Sequence, residues 1–177
     1  FKILILCTLI FLPYSSSMAY EEPNYEIIKK NEIYEIRKYF DRLAVETIDN
    51  GAENNFRKLF NYISGSNEDN EKIKMTTPVT QFEKDGNMSM QFYLPAKFDS
   101  KNAPKPIKEN VRIVNIEGGY YAVIRYSGRA SDKNYIKHKD IVLKKLKENN
   151  VKIISPPIRA TYDSPFTLPM NRRNEAM

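Results

Sequence analysis

The chain has 177 residues, of which 41% are hydrophobic and 28% are charged, proportions typical of one globular domain or of two small domains that share a core. Its 12 tyrosines and nine phenylalanines exclude disorder as the main state, because disordered chains carry few aromatic residues. The formal net charge of +6 does not by itself indicate nucleic-acid binding, and a single cysteine excludes a disulfide framework.

The first nineteen residues have the pattern of a secretory signal peptide. Lys2 precedes an apolar run over residues 3–12, which is too short to span a bilayer as a helix. Ser17 and Ala19 supply the small side chains that signal peptidase accepts, so we expect residues 1–19 to be removed and residues 20–177 to form the mature chain. A short membrane anchor and a buried N-terminal helix are the alternatives. The pattern predicts an exported protein, periplasmic or extracellular.

The next part of the chain predicts strands and then a helix. Alternating apolar residues predict an extended segment over residues 25–39 and a second strand over residues 42–48. Gly51 interrupts the alternation, and residues 52–63 then follow the i, i+3, i+4, i+7 spacing of an amphipathic helix. The apolar stripe of this predicted helix consists of Phe56, Leu59, Phe60 and Ile63.

A β-hairpin is predicted after this helix. Residues 79–84 and 88–93 flank Asp85-Gly86, a two-residue turn in which both positions tolerate positive φ. Apolar and polar residues alternate in the second hairpin strand, so we expect one of its faces to be buried. Residues 99–106 are rich in Pro, Lys and Asn, which predicts a loop that divides the chain.

The second half of the chain repeats this order of elements. Residues 111–116 and 120–126 are predicted strands, joined by a hairpin turn at Gly118-Gly119. Residues 131–149 are predicted to form a helix, which the Ser131 side chain caps at its N-terminus. A weak internal repeat is therefore predicted.

The repeat sets the predicted fold. Residues 43–47 align with residues 121–125, and each of these segments precedes a predicted helix. Residues 156–162 then lead toward the C-terminus, where we expect a last strand to follow Glu175 and to lie mostly beyond Met177. We predict an α+β fold, in which two similar strand–helix–hairpin units close into one sheet or barrel with both helices packed on it.

The residues after position 19 offer little catalytic chemistry. They contain no cysteine, and the one histidine, His138, has no triad partner near it in sequence, so neither nucleophilic catalysis nor a zinc site is supported. No glycine-rich phosphate loop is present. The lysines of the second predicted helix have no aromatic residues interleaved, which favours a solvated face over a nucleic-acid site. His138 is either a boundary residue exposed to water or an axial ligand that faces a cavity.

Four motifs, in order along the chain, carry a family resemblance. They are Tyr-Glu-Ile-Arg-Lys-Tyr at residues 34–39, Met-Thr-Thr-Pro-Val at 75–79, Phe-Tyr-Leu-Pro at 92–95, and Tyr-Asp-Ser-Pro-Phe at 162–166 with Arg-Arg-Asn-Glu at 172–175. Together they closely resemble the signatures of the SOUL haem-binding protein family. The resemblance implies a distorted antiparallel β-barrel built from two repeated strand–helix–hairpin units, with two helices packed on it. It also implies that haem or another tetrapyrrole binds as a non-catalytic ligand in an apolar groove against the first helix.

The resemblance also implies which residues form the groove. By position, the groove face of the first helix consists of Phe56, Leu59, Phe60 and Ile63. An aromatic-rich stripe suits a flat porphyrin, whereas the alternative is that these four residues only cover the sheet as core. We expect Arg172, Arg173 and Glu175 to have a structural role, because arginine forks pair with carboxylates and strand-end carbonyls where the last strand closes the barrel. We expect no side chain to ligate the iron firmly.

Three functional hypotheses follow. The first is an exported tetrapyrrole-binding protein that acts as a carrier, buffer or scavenger. Such a protein needs no enzyme activity, binds no nucleic acid and does not span the membrane as a mature chain. This hypothesis does not specify a protein partner. The second is a non-catalytic envelope interaction module. The third is a small-molecule hydrolase on the same barrel fold, because the two-unit barrel also resembles the effector-binding domains of bacterial regulators, some relatives of which are enzymes.

Overall fold

The computed structural model describes residues 20–49 and 51–177. The predicted signal peptide therefore lies outside the described residues, and its removal stays a prediction. Within the described ranges the chain forms nine strands, two α-helices and one short 3₁₀-helix, Pro169–Asn171. The elements are β1 (Tyr25–Lys30), β2 (Glu35–Tyr39), β3 (Arg42–Asp49), α1 (Ala52–Ile63), β4 (Val79–Lys84), β5 (Asn87–Tyr93), β6 (Val111–Ile116), β7 (Gly119–Tyr126), α2 (Asp132–Glu148), β8 (Arg159–Thr161) and β9 (Asn174–Ala176).

The nine strands form one antiparallel sheet that curls into a half-barrel. Their order is β1-β2-β7-β9-β8-β4-β5-β3-β6. In one half β5 lies between β3 and β4, and in the other half β9 lies between β7 and β8. The β4–β8 pair joins the two halves. The predicted α+β class and the repeat of two strand–helix–hairpin units are thus confirmed.

Each half has its own hydrophobic core beneath its helix. In the first half, Leu59 and Ile63 of α1 pack with Val45 and Phe92 of the sheet. In the second half, Val142 and Leu146 of α2 pack on the sheet in the same way. Removing each large apolar side chain from water contributes about 1.5–3 kcal/mol, so the two helices are held to the sheet mainly by these faces.

Several predicted local signals are confirmed. The α1 helix has the predicted bounds. The turn residues Asp85 and Gly86 have φ values of 51° and 77°, as the predicted hairpin requires. The Ser131 side chain accepts a hydrogen bond from the Asn134 backbone N–H at 3.4 Å, and α2 begins directly after Ser131. These signals are encoded within a few residues of where they act.

The single extended segment predicted over residues 25–39 is wrong. The chain turns back at residues 31–33, and β1 pairs with β2 as an antiparallel hairpin. The Asn31 Oδ1 atom accepts hydrogen bonds from the backbone N–H groups of Ile33 and Tyr34, both at 2.9 Å. This side-chain bond offers the backbone an alternative to the strand ladder, which is why the turn forms there.

The predicted hairpin at Gly118-Gly119 is also wrong. The β6 strand pairs with β3, whereas β7 pairs with β2 and β9. The Gly118 N–H donates to Asp41 Oδ1 at 2.6 Å, and a Cβ at Gly118 would lie 2.7 Å from the Tyr39 carbonyl oxygen. Glycine is needed at position 118 because this segment approaches the backbone of Tyr39 closely. The chain passes residues 39–41 at this point, between the end of β6 and the start of β7.

The C-terminal strands differ from the prediction in position and length. Within residues 156–162, for which no element was predicted, the chain forms the three-residue strand β8. Glu175 does not precede the last strand but is the central residue of β9, which pairs on both sides. No helix in the described ranges is both long and apolar enough to cross a membrane.

Candidate ligand-binding groove

A groove of about 630 Å³ opens between α1, the sheet and the segment that follows β8. This volume lies within the range of about 300–1,000 Å³ that small-molecule sites occupy. Its apolar lining comes from both halves of the fold and includes Phe56, Phe60, Met75, Val79 and Pro165. Polar and charged residues line the same space, among them Gln81, Arg159, Asp163 and Arg172. The groove therefore combines an apolar wall with a few polar groups.

Two of the four predicted site residues line this groove. The side chains of Phe56 and Phe60 are 41% and 48% exposed. Their rings stack with centroids 6.0 Å apart and an interplanar angle of 13°, because residues four apart lie on the same face of a helix. Phe56 also packs edge-on against Phe92 of β5, at 5.2 Å between centroids. The two rings therefore form an anchored aromatic pair in the wall of the groove.

The other two predicted site residues point elsewhere. Leu59 and Ile63 are 0% and 5% exposed, and both belong to the core beneath α1. An apolar stripe on a helix spans about 100° or more. Here the stripe divides, with Leu59 and Ile63 turned toward the sheet and Phe56 and Phe60 turned toward the groove. For Leu59 and Ile63 the structure favours the alternative interpretation, that they are core residues.

Arg159 is a polar groove residue that the sequence did not single out. Its Nη1 atom donates to Asp132 Oδ1 at 2.8 Å, and its Nη2 atom donates to the Ala130 carbonyl. The guanidinium also lies 5.8 Å from the centre of the Tyr135 ring. These contacts hold the Arg159 charge in a fixed position at one end of the groove.

Arg172 is the second basic group of the groove. Its Nε atom donates to the Thr167 carbonyl at 2.7 Å, and its Nη2 atom donates to the Pro165 carbonyl. Within residues 20–49 and 51–177, no carboxylate lies at ion-pair distance from this guanidinium, so these two carbonyl bonds hold it without neutralising its charge. The hydrogen bonds to carbonyls confirm the expected structural role of Arg172, but its position in the groove was not foreseen.

Beneath the groove wall, Glu175 is the centre of a buried charged cluster. Its side chain is 0% exposed. The carboxylate accepts hydrogen bonds from Arg37 Nη1 at 3.0 Å, Arg173 Nε at 3.0 Å and the Tyr162 hydroxyl at 2.8 Å. Arg173 also pairs with Glu22 at 2.9 Å. The predicted structural role of Arg173 and Glu175 at the last strand is confirmed.

The groove offers little to an iron atom. Among the described residues that line it there is no histidine and no cysteine. Tyr162 reaches the groove, but burial and the Glu175 carboxylate raise the pKa of its hydroxyl far above the ordinary value, so the phenolate does not form near neutral pH. The thioether of Met75 and the hydroxyl of Tyr20 remain as weak ligands. Apolar contact is therefore the main interaction this groove can make with a flat ring.

His138 lies on α2 and does not line the groove. Its ring stacks on Tyr126 with centroids 4.0 Å apart and an angle of 4°. Its Nδ1 atom lies 2.8 Å from the Asn134 carbonyl, which can only accept, so this nitrogen carries the proton. The side chain is half-buried. The structure favours the interpretation of His138 as a boundary residue of α2 over that of an axial ligand.

A family model identifies the chain. Residues 20–177 match the model described as SOUL heme-binding protein. The chain belongs to the SOUL haem-binding protein family. Among curated proteins, Heme-binding protein 2 of Homo sapiens is 30% identical, over 80% of this chain and 75% of that protein. Heme-binding protein 2 of Mus musculus is 28% identical, over 91% of this chain and 86% of that protein.

Solved structures show where else this fold occurs. The EcmrR C-terminal domain matches with a TM-score of 0.59 and 9% identity, over 86% of this chain and 94% of that one. A hydrolase from Listeria innocua matches with a TM-score of 0.55 and 10% identity, over 84% of this chain and 92% of that one. Identities this low show a shared fold alone, because one fold hosts many unrelated functions.

Proposed function

We propose that this SOUL family member binds haem or another tetrapyrrole in the groove beside α1 and acts as an exported carrier, buffer or scavenger. Family membership supports the ligand class, as do the names of the human and mouse relatives, Heme-binding protein 2. The signal-peptide pattern of residues 1–19 supports export. The protein's part in this function is to bind and hold the ring.

The observation that carries the proposal is the half-exposed pair of Phe56 and Phe60. Large apolar side chains are usually buried, whereas these two stacked phenyl rings line a groove and leave apolar surface exposed to whatever enters it. A planar macrocycle would pack against the exposed surface of this pair. Each such contact contributes roughly 1.5–3 kcal/mol before ordering costs, so a few contacts sustain micromolar affinity.

The two groove arginines complement the carboxylates of such a ligand. Guanidinium groups form short, charge-assisted hydrogen bonds to carboxylates, often through two parallel N–H groups. Arg159 and Arg172 are already fixed by bonds to the protein, so they lose little side-chain freedom on binding. Both residues would hold propionate groups while Phe56 and Phe60 pack on the ring face. A bound haem would supply the iron, and we expect the affinity to come mainly from these protein contacts.

A haem titration with matched variants tests the proposal. Haemin is added to residues 20–177, and binding is followed by the shift of the Soret band. Phe60→Ala should weaken binding about tenfold or more, because one of the two stacked rings is lost. Phe40→Ala is the control, since Phe40 is 47% exposed, close to the 48% of Phe60, and lies outside the groove. No saturable shift, or equal weakening in both variants, would contradict the proposal.

A further inference from the structure

An exposed apolar loop lies next to the groove, and its most exposed side chains have no role in the function proposed above. This loop, residues 164–171, contains no charged side chain. Three of its side chains extend into solvent, Phe166 at 93% exposure, Met170 at 73% and Leu168 at 60%. Single exposed apolar residues are common on protein surfaces, but three within five positions form a patch of the kind that marks an interaction site.

The loop keeps its shape through hydrogen bonds to its own backbone. Arg172 reaches back to it with Nε and Nη2, and the Gly128 N–H donates to it at 2.8 Å. Inside the loop, Thr167 and Asn171 donate from their backbone N–H groups. The carbonyl oxygens that accept these bonds are those of Ser164, Pro165, Thr167, Leu168 and Pro169. The exposed side chains are therefore presented by a preformed scaffold.

This combination suits a lipid surface, and we infer that the loop inserts its three apolar side chains into the interfacial region of a lipid bilayer. Backbone polar groups are costly in an apolar medium unless they are already hydrogen-bonded. Most carbonyl groups of the loop already accept a hydrogen bond before the loop contacts lipid. Apolar side chains then contribute through burial in the boundary between headgroups and acyl chains, as they do on interfacial helices.

The charges around the loop favour a bilayer with anionic lipids. Arg129 is exposed and follows Gly128, which bonds to the loop, and Arg172 closes the loop at its other end. The carboxylate at the start of the loop, Asp163, accepts a hydrogen bond from the Arg173 N–H and so points back toward the protein. The formal charge of the chain is +6. Basic residues near an anionic surface each strengthen binding, with a range set by the salt concentration.

The small size of the patch argues against a protein as its occupant. A stable protein–protein contact buries about 800 Å² on each partner, whereas this patch consists of three side chains on one eight-residue loop. A bilayer demands neither that area nor a complementary shape. Ser164, Pro165 and Arg172 also line the groove. Docking by the loop would hold the groove mouth at the lipid surface, where apolar ligands dissolve.

Vesicle flotation tests the inference. The segment to use is residues 20–177, because it contains both hydrophobic cores and excludes the apolar run of residues 3–12, which would bind lipid by itself. We expect it to float with phosphatidylcholine vesicles that contain about 30% phosphatidylglycerol, and to bind pure phosphatidylcholine less well. A triple variant in which the exposed side chains become serine should bind at least tenfold less. Its substitutions are Phe166→Ser, Leu168→Ser and Met170→Ser.

Ile154→Ser is the matched control. Ile154 is 86% exposed, but it follows the C-terminal end of α2, whereas the loop bonds to Gly128, which precedes the N-terminal end of α2. The Ile154→Ser variant should bind the vesicles as strongly as the unaltered segment does. If residues 20–177 do not float, or if the triple serine variant floats as well as the unaltered segment, the inference is wrong. Capture of a protein through the loop without any binding to vesicles would likewise overturn it.

A fluorescent variant gives an independent readout. The chain contains no tryptophan, so Phe166→Trp places a single indole at the tip of the loop. We expect its emission to shift to the blue on addition of the anionic vesicles, and to be quenched by lipids brominated near the headgroup. An emission spectrum that does not change when the protein floats would show that lipid contacts another surface, and would overturn the assignment to this loop.

Discussion

Replacing Glu175 by glutamine would remove the negative charge from the buried cluster beneath the groove. The amide keeps the size of the side chain, but it leaves Arg37 and Arg173 without their shared carboxylate. The Arg37 side chain is only 4% exposed, so water cannot replace the lost partner. Removing one partner of a buried ion pair costs about 3–5 kcal/mol.

The remaining contacts place the expected loss at the lower end of that range. Arg37 keeps an ion pair with Glu35 at 2.8 Å, and Arg173 keeps its pair with Glu22. We therefore expect Glu175→Gln to lower the free energy of unfolding by about 3 kcal/mol. For a chain of this size that corresponds to a fall of about 6–12 °C in Tm. Differential scanning calorimetry at neutral pH measures the change.

Glu22→Gln is the control for this prediction. Glu22 binds the same guanidinium, Arg173, at 2.9 Å, but its side chain is 40% exposed. Exposed ion pairs contribute about 0–1 kcal/mol, so the control should lower Tm by less than about 4 °C. Equal losses of stability in the two variants would refute the reasoning that burial makes the Glu175 carboxylate important.

Three further predictions follow from single side chains. His138→Ala should leave haem affinity and the Soret spectrum nearly unchanged, because the ring stacks outside the groove; loss of the Soret shift would assign the site to α2. Leu59→Ala should lower the free energy of unfolding by about 2–5 kcal/mol in urea titrations, since it opens a cavity in the core beneath α1. Burial alone would raise the pKa of Glu46, but hydrogen bonds from Arg112 and Gln91 hold it below the ordinary value of 4.5. The stability that Glu46 contributes is therefore present at neutral pH and is lost as the pH falls below about 4.5. When the pH is lowered from 7 to about 3.5, Tm should therefore fall more steeply in the unaltered chain than in Glu46→Gln.

Local patterns predicted much of the fold because their causes are local. The spacing of apolar residues in α1, the Asp85-Gly86 turn and the Ser131 cap all act within a few residues. The errors have other causes. At Asn31 one side-chain oxygen ends a strand, and at Gly118 the need for glycine comes from Tyr39, a residue distant in sequence. Strands of three residues are too short to show a periodicity.

The groove was only half predictable for a related reason. Helical spacing identified the stripe on α1, but it could not separate the residues that face the sheet from those that face the groove. Arg159 and Arg172 lie about a hundred residues after α1, and only the pairing of β4 with β8 brings them beside Phe56 and Phe60. The motif that contains Arg172 predicted only a structural role for this residue, because the place of the Arg172 side chain in the groove depends on the tertiary fold.

We propose above all that Phe56 and Phe60 hold a tetrapyrrole ring without help from an iron ligand. The most direct test of this proposal is an NMR measurement on residues 20–177 with iron-free protoporphyrin IX. We expect the porphyrin to bind, with nuclear Overhauser effects between its ring protons and the aromatic protons of Phe56 and Phe60. Binding that requires iron, or Overhauser effects to Phe40 or His138 in place of the α1 pair, would contradict the account.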